Sequence, residues 1–562
     1  MKRAAWLGSL MAALACLGVS LPAVAADKKK KDRRPAAAAK SPKKVAPPAA
    51  LPRKPNPRCQ EPEEVASRID VAIDGKLEDE SIPASPAATD AEFHRRVTLD
   101  ILGRIPAGER AAKFLDDPDP AKRSKLVDEL LASAEYGEHF GGLWHRLLIV
   151  PNDDNRQLIS PAFGVWMAKQ FNDNKPWNET VFKILTASGE RADHPETIFW
   201  LSHVEGAQKR ELKPEQVAGE ATRRFLGVQY QCAECHNHPF TGFKQADFWG
   251  IAAFFGKTEV LRASKKQAKS GEEPVVRELL GGTATIEIPE SKLKPVSVRF
   301  PDGKEPPRNA NGSLREAFAK WCTSPANKQF APAAVNRLWG HFFGRGVVHP
   351  VDDFRADNPP THPEILATLT KEFVASGHDL KHLIRCIVAT EAYQRTSDAL
   401  DENREDSALH SHMAVKLMGP EQLFDSLSTA LGQPVVAAGR RGERVGNGKN
   451  AGSPKARFLQ LFNTSEEADF SVDYTHGIPQ ALELMNGGYR LQGSASLQKI
   501  VDAGGGHAKI IDGVFLQVLS RRATPAEQSK FRAYVAAQAD PAKAFADIQW
   551  VLMNSSEFVL NH

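Results

Sequence analysis

The chain has 562 residues, and its hydrophobic fraction of 41% and charged fraction of 25% are those of an ordinary globular protein. This length allows about three or four domain-sized units and excludes a small scaffold held together by disulfides. The net charge of +4 is uneven, because residues 27–58 carry twelve Lys or Arg against two Asp. Without them and the basic pair Lys2 and Arg3, residues 59–562 carry about −8. That acidic balance argues against nucleic-acid binding by this part of the chain.

The first 25 residues have the order of a secretory signal peptide. Two basic residues precede an apolar stretch over residues 4–19, and an Ala-Val-Ala cleavage site ends at Ala25. The sequence therefore predicts export to the periplasm or cell surface, with a lipoprotein site at Cys16 as the alternative. No later stretch approaches the ~20 apolar residues that a transmembrane helix needs, so no membrane span is predicted.

Residues 26–58 are rich in Pro, Ala and Lys and contain almost no large apolar side chain. Such a segment cannot bury enough surface to offset chain entropy, which predicts a disordered basic linker. Its charge suits contact with an anionic envelope surface, and a solvated linker without a partner is the alternative.

The rest of the chain predicts a mainly α fold, with two helical domains separated by a small β insertion. Helical spacing of apolar residues, such as Phe93, Val97 and Ile101, runs through residues 59–256. Residues 257–308 instead contain short alternating runs, TATIEIPES and PVSVRFPDG, bounded by Gly, Pro and Asp, which indicate strands. Helical spacing then resumes over residues 309–562.

The first helical domain contains the C-x-x-C-H motif, formed by Cys232, Cys235 and His236. In an exported protein this motif is the attachment signature of a c-type haem, in which two thiols one helical turn apart bond to the vinyl groups and the imidazole binds iron. The motif thus predicts haem c as a cofactor. No Met follows at short range, so we expect a second imidazole or an open position as the sixth ligand.

Two other chemistries are open for the same segment. Cys232 and Cys235 could form a redox-active or structural disulfide, or they could bind a structural zinc together with His236 and His238. Three more cysteines, Cys59, Cys322 and Cys386, follow the signal peptide. Five is an odd number, so not all of them can pair within the chain, and the sequence does not say which ones do.

A second polar segment covers residues 336–362, where three imidazoles lie near a Gly-rich turn: His341, His349 and His362. They are the best candidates for a distal haem ligand, a metal site or a substrate site. We expect the segment to pack against the first domain near Cys232, forming one composite site. The structural alternative is that Asp352 and Asp353 pair with nearby Arg side chains and that Thr361 caps the next helix.

These two segments resemble a known family. QCAECHNHPF, with ETVFKILTASGE before it and QADFWGIAAFF after it, is similar to the planctomycete secreted cytochrome-like family, domain of unknown function 1549. VNRLWGHFFGRGVVHPVDDFRADNPPTHPEIL, GPEQLFDSL and WVLMNSSEFVLNH are similar to its usual companion, domain of unknown function 1553. The resemblance implies a secreted, cytochrome-like protein with Cys232, Cys235 and His236 as the haem motif, and it implies no defined activity.

The sequence therefore predicts an exported cell-envelope protein that binds haem c and has a redox or electron-transfer role with an envelope redox partner. The alternative is a non-haem envelope protein, with zinc or a disulfide at C-x-x-C-H, that binds or processes an extracellular polymer. Whether the protein is an enzyme is left open by the sequence.

Overall fold

The structure is a computed structural model. It describes residues 59–149, 152, 154–155, 158–206, 211–237, 242–261, 273–281, 285–288, 294–306, 312–433, 454–462 and 494–562. The predicted signal peptide, the predicted linker and His238 lie outside the described residues.

The first half is built from helices, as the spacing of its apolar residues predicts. The ten α-helices before the strand-rich region are α1 Pro62–Asp79, α2 Asp90–Leu102, α3 Gly108–Asp116, α4 Lys122–Ala132, α5 Ala134–Leu148, α6 Ala162–Asn172, α7 Trp177–Thr186, α8 Ile198–Leu201, α9 Pro214–Leu226 and α10 Gln245–Ala252. Two 3₁₀ helices cover Pro195–Thr197 and Tyr230–Ala233. Helix α2 begins where Thr89 Oγ1 accepts a hydrogen bond from Glu92 N, and its apolar stripe is buried.

The strands are short and pair only antiparallel among the described residues. They are β1 Gly189–Glu190, β2 Val204–Glu205, β3 Glu211–Leu212, β4 Thr258–Leu261, β5 Val275–Glu278, β6 Thr285–Ile286, β7 Val296–Ser297, β8 Lys416–Leu417 and β9 Leu560–Asn561. Strand β5 lies between β1 and β4, and the other pairs are β2 with β3, β6 with β7, and β8 with β9. Four of the described strands fall within residues 257–308, where the sequence predicts a β insertion.

The second half returns to helices. They are α11 Leu314–Cys322, α12 Phe330–Phe343, α13 Pro363–Ala375, α14 Leu380–Val388, α15 Glu391–Gln394, α16 Pro420–Leu431, α17 Pro454–Phe462, α18 Ala495–Asp502, α19 Gly506–Leu519, α20 Pro525–Ala537, α21 Pro541–Met553 and α22 Ser556–Val559. The fold is therefore mainly α. No helix within the described ranges is both long and apolar enough to cross a membrane.

Helices from both halves share their apolar cores. One buried cluster contains Phe225 of α9 together with Trp339 of α12, and a second contains Leu99 of α2 together with Val514 of α19. Burial of this kind is the main favourable term in folding, so each half stabilises the other. The exact domain boundaries at residues 256 and 309 stay a prediction.

A buried polar network also joins the two ends of the folded chain. Asp100 Oδ1 accepts hydrogen bonds from Lys416 Nζ at 2.6 Å and from Asn561 Nδ2 at 2.7 Å, while its Oδ2 accepts one from the Tyr393 hydroxyl at 2.8 Å. Asp100 is 1% exposed. Both oxygens of this carboxylate accept hydrogen bonds, which compensate the free-energy cost of burying its charge. The network also ties β8 and β9 to α2.

Candidate functional site

The C-x-x-C-H segment follows directly from the end of α9. That helix ends at Gly227, whose φ of +69° is a left-handed conformation that favours glycine. A Cβ at Gly227 would also lie 2.7 Å from the Phe354 ring. The chain then forms the 3₁₀ helix Tyr230–Ala233, which carries Cys232 on its surface. Glycine therefore serves two purposes here, because it turns the chain and lets the second half approach it.

The three residues of the motif lie together on an exposed turn. Cys232, Cys235 and His236 are all exposed, and both cysteines are free thiols. His236 Nδ1 lies 2.7 Å from the carbonyl oxygen of Asn237. Because a carbonyl oxygen can only accept, Nδ1 carries the hydrogen, and Nε2 keeps its lone pair. The turn thus presents two thiols and one imidazole nitrogen that is able to bind a metal.

Helix α10 holds this turn in place through its first residues. Gln245 Nε2 donates hydrogen bonds to the carbonyl oxygens of Glu234 at 3.0 Å and Cys235 at 2.9 Å. Trp249 Nε1 donates to the same Glu234 oxygen at 3.0 Å. Burial, and then the nearby Glu215 carboxylate, raise the pKa of Glu234. The turn is therefore fixed by side chains from a helix that is itself packed in the core.

An aromatic pair lies beside the turn. The rings of Tyr230 and Phe243 are 4.3 Å apart, centre to centre. Tyr230 is buried, and burial raises the pKa of its hydroxyl to about 12, so the phenol stays protonated. The ring of Phe243 is half-buried and packs on Tyr230, which lies in the same 3₁₀ helix as Cys232.

The segment of residues 336–362 lies against this region, as the sequence predicts. Asp352 Oδ2 pairs with Arg223 Nε at 2.6 Å, and Asp352 Oδ1 accepts from Gln229 Nε2 at 3.1 Å. Phe354 N donates to the carbonyl oxygen of Gly227 at 2.9 Å. Burial alone would raise the pKa of Asp352, but the guanidinium groups of Arg223 and Arg337 lower it overall. An ionised, buried carboxylate thus joins the two halves just before the motif.

The expected local role of this segment is only partly correct. Asp353 pairs with Arg355 at 3.1 Å, as predicted, but Asp352 pairs with Arg223 of the first half. The prediction that Thr361 caps the next helix is wrong, because Thr361 Oγ1 donates to the carbonyl oxygen of Val347 at 3.2 Å and α13 begins after His362. The partner of Asp352 and the partner of Thr361 were both decided by tertiary packing, which a local sequence pattern does not encode.

The candidate imidazole of α12 lies in the core. His341 is 7% exposed, and its Nε2 donates to the carbonyl oxygen of Asp100 at 2.8 Å. Its ring centre is 5.9 Å from that of His139 and 5.3 Å from that of Phe140. Burial lowers the pKa of His341. The ring is therefore neutral, and its Nε2 is already used as a hydrogen-bond donor.

The other two candidate imidazoles differ in their surroundings. His362 is 1% exposed, and its ring centre lies 5.6 Å from that of His410. Burial lowers the pKa of His362, and that of His410 to about 3, so both rings are neutral. His349 is half-buried, and its carbonyl oxygen accepts from Asn358 Nδ2 at 3.2 Å. The structure thus brings Cys232, Cys235 and His236 together. It buries the His341 and His362 rings beside the same apolar core, His341 against Phe140 and His362 against His410.

A second group of thiol and imidazole side chains has no counterpart in the sequence expectations. Cys59 Sγ lies 3.1 Å from His382 Nε2, and Cys386 Sγ lies 3.6 Å from the same nitrogen. His382 and Cys386 are four residues apart on α14, a spacing that places both on one helix face. That spacing was the available signal, but Cys59 is more than 300 residues away, and no local pattern connects it to α14.

Comparison with known protein families finds two matches. Residues 68–260 match a protein of unknown function, DUF1549, and residues 314–535 match a protein of unknown function, DUF1553. The first match contains the C-x-x-C-H turn, and the second contains both the 336–362 segment and α14. No curated protein matches the chain, and no solved structure does.

Proposed function

We propose that this protein, which belongs to the family in which DUF1549 is followed by DUF1553, is an exported redox protein that carries one c-type haem on Cys232, Cys235 and His236. The observation that carries the proposal is the state of His236. Its Nδ1 donates to Asn237 O at 2.7 Å, which in the neutral ring leaves the lone pair on Nε2, and the two cysteines of the same motif are exposed. A hydrogen bond from the second ring nitrogen is how proteins orient an imidazole that ligates a metal.

The residues of the turn fit covalent attachment of haem. Each thiol would add across one vinyl group, so that a sulfur–carbon bond forms and the thiol hydrogen passes to the other vinyl carbon, without net oxidation. Both sulfurs are accessible, and Gln245 and Trp249 hold the backbone between them. Cys232, Cys235 and His236 would hold the haem, which would supply one-electron chemistry when bound.

Exposure favours electron transfer over buried substrate chemistry. The thiols and His236 lie at the surface, where a bound group can come close to a partner protein. His341 and His362 lie in packed cores, and His341 Nε2 is bonded to Asp100 O. We therefore propose an envelope redox partner and expect neither of these two imidazoles to be the sixth ligand.

The test is expression of the full chain in a host that matures c-type cytochromes. Haem should remain on the chain under denaturing conditions, and C232A/C235A should lose it completely. C322A is the matched control, because Cys322 is a buried free thiol on α11 and should leave the haem content unchanged. H236A should keep covalent haem but alter the ferric absorption spectrum.

The same preparations separate the alternatives. Haem-free parent protein from a competent host would contradict the proposal. Stoichiometric zinc that is lost in C232A/C235A would then support a metal site at the turn, and a mass lower by two hydrogens in the peptide containing Cys232 and Cys235 would support a disulfide.

A further inference from the structure

Four side chains that can bind a metal meet where the folded chain begins. Cys59 lies three residues before the start of α1, Glu372 lies in the last turn of α13, and His382 and Cys386 lie one turn apart on α14. Asp379 caps α14 by accepting from His382 N at 2.9 Å, which fixes the direction of the helix. Helix α1 packs on both α13 and α14, so core contacts hold together the three parts of the chain that carry these side chains.

The donor atoms converge on His382 Nε2. It lies 2.8 Å from Glu372 Oε1, 3.1 Å from Cys59 Sγ and 3.6 Å from Cys386 Sγ. Cys59 Sγ is also 3.0 Å from Glu372 Oε1. Without a metal, Glu372 Oε1 accepts from both the Cys59 thiol and His382 Nε2, and Cys386 lies beside the same nitrogen. A cation among these atoms can contact all of them.

The spacing suits tetrahedral coordination. Bonds of about 2.0–2.3 Å to nitrogen, oxygen and sulfur place neighbouring ligand atoms about 3.3–3.8 Å apart. The three atoms Cys59 Sγ, Glu372 Oε1 and His382 Nε2 already lie within 4.8 Å of one another, with separations of 2.8 to 3.1 Å. An outward movement of about 0.5 Å reaches the required spacing. Cys386 is the fourth donor: its Sγ lies 3.6 Å from His382 Nε2 but outside the group of three atoms, so coordination requires its side chain to move towards Cys59 and Glu372.

The environment of the cluster is negative and largely dry. Glu372 is 4% exposed and Cys386 is fully buried. Burial alone would raise the pKa of Glu372, but hydrogen bonds from Cys59 and His382 lower it overall, so the carboxylate is ionised. Burial, the hydrogen bond with Glu372 and the nearby carboxylates of Asp379 and Glu61 raise the pKa of Cys59 to about 12. Arg385 is the opposing cation beside Cys386.

We propose that Cys59, Glu372, His382 and Cys386 bind one structural zinc ion. Two sulfurs, one imidazole nitrogen and one carboxylate oxygen form a donor set that selects zinc over magnesium or calcium, which prefer oxygen ligands. Four protein ligands leave no open position, which is typical of a structural site. On binding, each thiol releases its proton to solvent, and the hydrogen of the neutral His382 ring moves from Nε2 to Nδ1 by exchange with solvent, so that the Nε2 lone pair binds the ion.

Zinc at this site would stabilise the folded chain. Cys59 is the first residue of the described fold, and the metal would fasten it to α13 and α14, which lie over 300 residues later. The four ligands come together only in the folded chain, so zinc binds the folded state and stabilises the protein. The proposal does not depend on haem at the C-x-x-C-H turn.

The test uses the full chain with C232A/C235A, so that the exposed thiols cannot compete for metal. Metal-free protein is titrated with Zn²⁺, and separately with Co²⁺, whose thiolate charge-transfer and tetrahedral bands report the ligand set. We expect one ion per chain, release of protons on binding, and an increase in the melting temperature. C59S and E372Q should each weaken Zn²⁺ binding at least about tenfold, since even residues that only support metal ligands cost that much.

C322S is the matched control, because Cys322 is buried and free but lies on α11 outside the cluster. It should bind Zn²⁺ as the parent does. C59S changes only a half-buried sulfur to oxygen, and E372Q keeps the volume of the side chain. At least one of the two variants should therefore fold, which circular dichroism will show.

Three results would overturn the proposal. One is Zn²⁺ binding that is unchanged in both C59S and E372Q. Another is the absence of any tetrahedral cobalt spectrum in well-folded parent protein, which would identify the cluster as hydrogen bonds alone. The third is a disulfide between Cys59 and Cys386 in protein purified without reductant.

Discussion

The exposed C-x-x-C-H turn and the buried cluster around His382 use the same residue types in opposite ways. At the turn, Cys232, Cys235 and His236 are adjacent in sequence and open to solvent. In the cluster, Cys59 joins α13 and α14 from more than 300 residues away, and Glu372 is 4% exposed. One site is assembled by a short stretch of backbone, and the other exists only when three helices pack.

This difference indicates two kinds of chemistry. An exposed turn with accessible sulfurs suits attachment of a large group and contact with a partner. A buried cluster, whose donors come from separate elements, suits a small ion that holds those elements together. Breaking the turn should therefore change what the protein carries, whereas breaking the cluster should change how stable it is.

The largest expected contrast is in thiol reactivity. In haem-free and metal-free protein, Cys232 and Cys235 should be alkylated directly, while Cys322 and Cys386 should react only after the fold opens. Because opening costs at least about 5 kcal/mol, we expect alkylation of the buried pair to be slower by at least about 10³-fold. Timed iodoacetamide labelling with peptide mass spectrometry measures this ratio. Equal rates for Cys386 and Cys235 would show that the burial of α14 is wrong.

A smaller contrast is expected in the free energy of unfolding. E372A removes a buried carboxylate that accepts from Gln60 N, Cys59 and His382, and we expect a loss of about 2–3 kcal/mol. Q245A removes bonds to two turn carbonyls that water can replace in part, and we expect about 1 kcal/mol. Urea unfolding of both variants without metal compares them directly. A greater loss for Q245A would reverse the assignment of the cluster as the stabilising site.

The smallest expected effect is the pH dependence of the metal-free cluster. The lowered pKa of Glu372 contributes stability above its ordinary value of 4.5, and this contribution is lost as the pH falls through the lowered folded value. The raised pKa of Cys59 contributes stability below 9.0, and this is lost as the pH rises from 9.0 towards about 12.

E372Q should flatten both slopes, because it removes the acid and the hydrogen-bonding carboxylate beside the thiol. Denaturation curves across this pH range, for parent and E372Q, provide the measurement. C322S serves as the control and should keep the acid slope. An unchanged slope at both ends in E372Q would show that the two groups are not coupled.

The sequence by itself determined the features that depend on neighbouring residues. Helical spacing around Phe93, Val97 and Ile101 predicts α2, and alternating runs predict β6 and β7 within the insertion. The C-x-x-C-H motif is likewise complete within five residues, so the prediction of haem attachment rests on the sequence alone. Periodicity and short spacing are local properties, and the local backbone geometry carries them into the structure.

Only the tertiary structure decided the features that depend on which helices pack together. It gave Asp352 the partner Arg223 and buried the His341 and His362 rings against different neighbours, Phe140 and His410. It also brought Cys59 to His382. The sequence alone would allow many different Asp–Arg and Cys–His pairs, and it does not select among them. The choice among them follows from burial of apolar surface over long sequence separations, which no short pattern records.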